Sequence, residues 1–94
     1  FGEIEDEHDV DILTEEEIGN NTWLLSARHD VEHLNDKFNL NLPLDDAYET
    51  LGGLIIHMIA TLPEEGAIIN INDCKITVKK VESTRINVVE LQLL

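Results

Sequence analysis

Apolar positions along the 94-residue chain follow two rhythms. Between 48 and 66, YETLGGLIIHMIATLPEEG, residues Leu51, Leu54, Ile55, Met58, Ile59 and Leu62 recur at three- and four-residue steps, the period of an inward helix face. Ile56 makes the middle apolar nearly all round, which predicts a central helix rather than a surface one. Asp46 with Glu49 forms an N-terminal cap pattern for it, and Pro63 and Gly66 mark its end. Gly52 and Gly53 fall inside this helix, where each costs about 1 kcal/mol against alanine. The pair therefore predicts a close approach by a neighbouring element, the commoner reason, or a ligand pressed against the helix. A shorter face, Val31, Leu34 and Phe38, follows Asp30 as candidate cap, with Lys37 near its end to suit the helix dipole.

The second rhythm is alternation. Gly19, Asn20 and Asn21 are turn formers, and TWLLSA beyond them is β-prone, which predicts a hairpin over 16–27 with Trp23 or Leu24 facing inward. Leu40, Leu42 and Leu44 alternate around Pro43, an extended link. Three strand-like runs close the chain, at 67–71, 75–82 and 85–93, joined at Asn72-Asp73 and Ser83-Thr84. Val81 breaks phase with Ile76 and Val78, so a bulge is expected near Lys79-Lys80. The order ββααβββ predicts an α+β domain with two helices packed on one face of a mainly antiparallel sheet.

Charge changes the picture most. Twenty acids against six bases give a formal net charge of −14. That excess repels phosphate backbones and anionic lipid, so nucleic acid and membrane surfaces are poor partners, and cations or basic protein surfaces are favoured. No apolar run approaches the ~20 residues of a membrane span, so direct insertion is not expected. The single cysteine, Cys74, excludes an internal disulfide and suits a reducing compartment. The only methionine is Met58, so the chain is expected to be a piece of a longer protein. Residues 1–14 read as an acidic linker arm and 15–94 as the domain. Lys75, Lys79, Lys80 and Arg85 place four of the six bases in the last hairpin, so arm and hairpin can dock on each other or face different neighbours.

Candidate chemistry is sparse. Glu5, Asp6, Glu7, Asp9 and Asp11 could hold a cation, but Leu13 and Thr14 break the alternating oxygen pattern of a calcium loop, and a charged linker is the simpler reading. His29 and His33 have the four-residue spacing of two ligands on one helix face. No third ligand stands near them in sequence, and two solvent-facing histidines are the plainer expectation. His57 has no serine, cysteine or carboxylate partner at helical spacing, and Cys74 no second thiol or histidine at motif spacing. Trp23 suits the core better than a partner-binding anchor. No nucleophile–base pair can be named, so no catalytic residue and no enzyme is expected.

Three stretches, FGEIEDEHD, TWLLSARHDVEHLNDKFNLNLP and YETLGGLIIHMIATLPEEG, together resemble the CorC/HlyC transporter-associated domain over essentially the whole chain. The tract Thr50-Leu51-Gly52-Gly53 and the Leu62-Pro63…Gly66 ending are its most specific parts. Family members often have glycine where Ala27 stands and threonine-proline near His29-Asp30. The resemblance implies the C-terminal, cytoplasmic domain of a magnesium and cobalt efflux or hemolysin-like protein at the inner or plasma membrane. There it would follow a pair of CBS domains, and in many relatives a membrane-spanning segment. It implies a non-catalytic regulatory role exercised by docking on the CBS pair, on the membrane domain or on a twin copy as a homodimer. The alternatives are a ligand module for FAD or an adenine nucleotide, and a cation-sensing arm. FAD enters because the family fold is similar to the small subdomain of a flavin-binding fold. Its pyrophosphate would want a glycine-rich cradle or free helix-start amides. With the glycine pair inside a helix and acidic surroundings, no cofactor is expected, a divalent cation being the weak exception.

Overall fold

The computed structural model describes residues 13–94, so the acidic positions Glu5, Asp6, Glu7, Asp9 and Asp11 lie outside the described residues. One sheet organises the rest. Strands β1 (Glu15–Gly19) and β2 (Thr22–Ser26) form the first hairpin, and β3 (Ile68–Ile71), β4 (Cys74–Glu82) and β5 (Arg85–Leu93) form a meander. The five run in spatial order β1-β2-β5-β4-β3, every neighbouring pair antiparallel. Helices α1 (Val31–Phe38) and α2 (Leu51–Ile59) come between the two hairpins and complete the expected α+β architecture.

The hairpins form where the turn chemistry points. Asn21 and Asn72 adopt positive φ, 52° and 53°, at the turns into β2 and β4, a conformation asparagine tolerates better than most residues. Register shifts fall between Val78, Lys80 and Val81, the expected bulge, and a second lies between Glu17 and Gly19. Trp23 and Leu25 face inward with Ile76, Val78, Val89 and Leu91, while Leu24 is only half-buried. Trp23 packs against Phe38 of α1, ring centroids 4.6 Å apart and planes tilted by 35°. Full burial of side chains such as Leu25, Leu54 and Ile76 contributes about 1.5–3 kcal/mol each.

Both helices depart from expectation at their ends. Asp30 occupies the N-cap position of α1, but its side chain makes no capping hydrogen bond. The cap of α2 is Thr50, whose Oγ1 accepts from Gly53 N–H at 3.1 Å, not the Asp46/Glu49 pair. The reason is tertiary. Glu49 and Thr50 run extended against Asp30 and Val31, with Val31 N–H donating to Glu49 O at 2.9 Å and a bridge between Asp30 and Thr50. Asp45 instead holds a local turn through Ala47 N–H. Helix α2 begins only past this pinned segment, so Gly52 and Gly53 sit in its first turn rather than its interior.

The far end also comes early. Ala60 turns left-handed (φ 63°) and its N–H closes onto Ile56 O, six residues before Gly66. Leu51, Leu54 and Ile55 are buried, but Met58 is 50% exposed and Ile56 and Ile59 only partly covered. The helix therefore presents one face to the sheet and is not enclosed, since the core has one sheet to offer it. Leu40 and Leu42 of the link are buried, and Leu44 is not.

Candidate functional site

The edge of the sheet brings together residues the chain keeps apart. Glu15 opens β1 opposite Leu25, and residues opposed in an antiparallel ladder share a face. Its side chain therefore points to the helix side, as Leu25 does. There it meets His29, in the turn after β2, and His33 and Lys37 on α1. Positions 29, 33 and 37 are four apart, so they form one stripe along the entry and outer face of α1.

Glu15 Oε1 lies 3.7 Å from His29 Nε2 and 3.5 Å from His33 Nε2, and Oε2 faces the Lys37 ammonium. The imidazoles stack at 5.4 Å between centroids, 18° from parallel. His29 Nε2 also lies 2.9 Å from Thr14 O, so it carries the proton it donates to that carbonyl. Burial pushes the Glu15 carboxyl upward, but hydrogen bonds from Lys37 and His33 and the charges of Lys37 and His29 outweigh it, and the net pKa is lowered. The carboxylate is thus held ionised. One ligand atom from each of Glu15, His29 and His33 falls within 4.8 Å of the others, and this is a group able to hold a metal ion.

Two expectations are corrected here. His29 is buried, 7% exposed, and only His33 faces solvent. The third side chain able to ligate is Glu15, fourteen residues before His29. It is hidden in the run Glu15-Glu16-Glu17: strand alternation puts Glu15 and Glu17, opposite Leu25 and Trp23, on the other face from Glu16, and it is Glu15 that lies against His29, His33 and Lys37.

The other candidates lie elsewhere. Gly52 and Gly53 do mark a close approach: a Cβ on Gly52 would meet Ala27 Cβ at 3.2 Å, and one on Gly53 would meet Tyr48 Cβ at 3.1 Å. Their place in the first turn raises the question of a pyrophosphate. Leu51 N–H donates to His29 O, Gly52 N–H to Ala27 O, Gly53 N–H to Thr50 Oγ1 and Leu54 N–H to Thr50 O. The first three amides of the helix, Leu51, Gly52 and Gly53, are thus engaged within the protein and Leu54 N–H makes the first intrahelical bond, so this terminus does not fit an anion as it stands. His57 packs its ring against Tyr48 at 5.3 Å. Cys74 is a buried free thiol whose pKa is pushed up by burial and by Asp73. Trp23 is in the core. Lys79 of the last hairpin pairs with Glu90 of the neighbouring strand at 3.5 Å.

A depression of about 370 Å³ separates α1 from the link, lined by Asp30, Glu32, Asp45, Asp46 and Glu49 beside Tyr48. Among the described residues no helix is long and apolar enough to cross a membrane.

The domain is thus a small antiparallel sheet with two helices on one face and its polar clusters at the rim. The chain belongs to the CorC/HlyC family, described as the transporter associated domain, whose family model matches residues 16–94. It is 32% identical over 93 residues to the magnesium and cobalt efflux protein CorC of Salmonella typhimurium, covering 98% of this chain and 32% of that protein. A Rickettsia canadensis protein named "Possible hemolysin C" is 36% identical over 74 residues, which is 77% of this chain and 25% of that one. The chain therefore spans about a quarter to a third of the curated relatives it matches. The solved transporter associated domain of Nitrosomonas europaea superposes with a TM-score of 0.78 at 20% identity, over 88% of this chain and 99% of that one, and so shares the fold.

Proposed function

We propose that this domain is a non-catalytic regulatory module of a divalent-cation efflux or hemolysin-like protein, working by docking on neighbouring domains of its own chain at the cytoplasmic side of a membrane. The observation that carries the reading is family membership in a chain that spans only about a third of CorC-type relatives. A strongly acidic domain with its polar clusters at the rim suits contact with other protein surfaces or with cations. A CBS pair and a membrane domain of the same parent are the expected neighbours, and a second copy of the domain is the other docking partner.

The experiment is deletion of the domain from its full-length parent, followed by growth in graded magnesium and cobalt and by measurement of ion efflux. Altered tolerance with unchanged expression supports the reading; identical tolerance and efflux overturn it. The engaged amides at the start of α2 support a module without bound flavin or nucleotide. Calorimetry of the purified domain with FAD and adenine nucleotides tests that point, and a saturable heat would reverse it.

A further inference from the structure

We propose that Glu15, His29 and His33 form a binding site for a first-row divalent transition ion of the zinc type, selective against magnesium. The inference does not depend on the regulatory reading, because such a site could serve the domain in any parent.

Geometry is the first support. Zinc bonds of about 2.0–2.1 Å in a tetrahedral arrangement place neighbouring ligand atoms about 3.3–3.4 Å apart. The observed spacings of Glu15 Oε1 from the two Nε2 atoms, 3.5 and 3.7 Å, are within a small side-chain adjustment of that. Two imidazoles and one carboxylate are a donor set for zinc and its neighbours, whereas magnesium prefers an all-oxygen octahedral shell. Three protein ligands leave a position for water, and Thr14 O lies beside His29 Nε2 at 2.9 Å as a further oxygen donor.

The surroundings are built for one oxygen of Glu15 and not the other. Lys37 holds Oε2, which is buried, and leaves Oε1 toward the histidines. A bound ion would meet Oε1 alone, with the carboxylate already oriented. His29 is fixed by burial and by its backbone, whose N–H donates to Ser26 O and whose carbonyl accepts from Leu51 N–H. Binding through its Nε2 takes the other neutral tautomer, in which the proton now given to Thr14 is carried on Nδ1. Lys37 also opposes the ion through its charge, so it sets the affinity from above.

The test uses chelator-treated protein titrated with Co²⁺, followed by visible absorption, and with Zn²⁺ and Mg²⁺ by calorimetry. One equivalent of Co²⁺ is expected to bind, to be displaced by Zn²⁺, and to be indifferent to millimolar Mg²⁺. His33 is exposed, so His33→Ala keeps the fold and should weaken Zn²⁺ binding about tenfold or more. Glu15→Gln should act alike, and Lys37→Met should tighten binding. A variant neutralising Glu5, Asp6, Glu7, Asp9 and Asp11 should still bind Zn²⁺. The proposal is overturned by any of three results from folded protein: no Zn²⁺ binding at millimolar metal, unchanged affinity in His33→Ala and Glu15→Gln, or Mg²⁺ competing as well as Zn²⁺.

Discussion

The amide of Gly52 donates to the carbonyl of Ala27 across 2.8 Å, and a Cβ on residue 52 would stand 3.2 Å from Ala27 Cβ and 3.3 Å from that carbonyl oxygen. Ala27 is itself tied to β5, its N–H donating to Asn87 O at 2.9 Å, so it cannot easily retreat. Gly52→Ala gains about 1 kcal/mol of helix propensity and sets it against overpacking of about 1–3 kcal/mol. The expected outcome is net destabilisation, with Gly52→Val worse. Thermal unfolding should show a lower Tm by several degrees, since about 1 kcal/mol moves a domain of this size by about 4–8 °C. An unchanged or raised Tm in Gly52→Ala would mean that the helix start can slide away from β2.

Asn35 clamps the link to α1. Its Nδ2 donates to Leu42 O and its Oδ1 accepts from Leu42 N–H, both at 3.0 Å, so one amide completes the backbone pairing of a buried leucine. Asn35→Ala leaves both groups without a protein partner, at about 1–3 kcal/mol each where water cannot reach. A loss of about 2–4 kcal/mol in urea unfolding is expected. Asn35→Asp keeps the acceptor and loses the donor, so it should fall between. Equal stability of all three proteins would show that water replaces the amide.

Ala60 ends α2 in a left-handed conformation, φ 63°, on the surface. That region costs an L-residue with a Cβ roughly 1–2 kcal/mol, and glycine escapes the cost. Ala60→Gly is therefore expected to stabilise the domain by about 1 kcal/mol, after allowing for the unfolded-state entropy of glycine. Chemical denaturation with an unchanged slope and a higher midpoint would bear this out. A lower midpoint would mean that the Ala60 methyl makes contacts worth more than the strain.

The sheet was legible because its signals are local. Alternation in TWLLSA and the asparagine turns at 20–21 and 72–73 needed no information from elsewhere, and the phase slip at Val81 located the bulge. The ends of α2 were not legible, because a cap pattern at Asp46 and Glu49 lost to a pairing of residues 49–50 with 30–31. No local window contains both partners. Half of the polar cluster could be read, as the spacing of His29 and His33. Glu15 could not, since its neighbours Glu16 and Glu17 are chemically equivalent and only the fold sets Glu15 of the three against His29, His33 and Lys37.

Alkaline pH should reveal two groups, Tyr48 and Cys74. Tyr48 Oη donates to Pro43 O at 2.7 Å, and burial, then the charge of Asp45, raises its pKa above the ordinary 10.0. Burial, then Asp73, raises the Cys74 thiol above its ordinary 9.0. Both acids are neutral when protonated, so between the unfolded and folded pKa values the native state holds a proton that the unfolded chain has released. Their contribution to stability is therefore complete below the ordinary values and is lost as pH rises through the raised ones. Urea unfolding between about pH 7 and about pH 11 should show stability declining from about pH 9 upward. Cys74→Ala should lessen the decline from about pH 9, and Tyr48→Phe should lessen it from about pH 10. Tyr48→Phe should also lower stability at neutral pH by about 1 kcal/mol, the loss of one hydrogen bond. Parallel curves for the wild type and the double variant would show that neither proton is held by the fold.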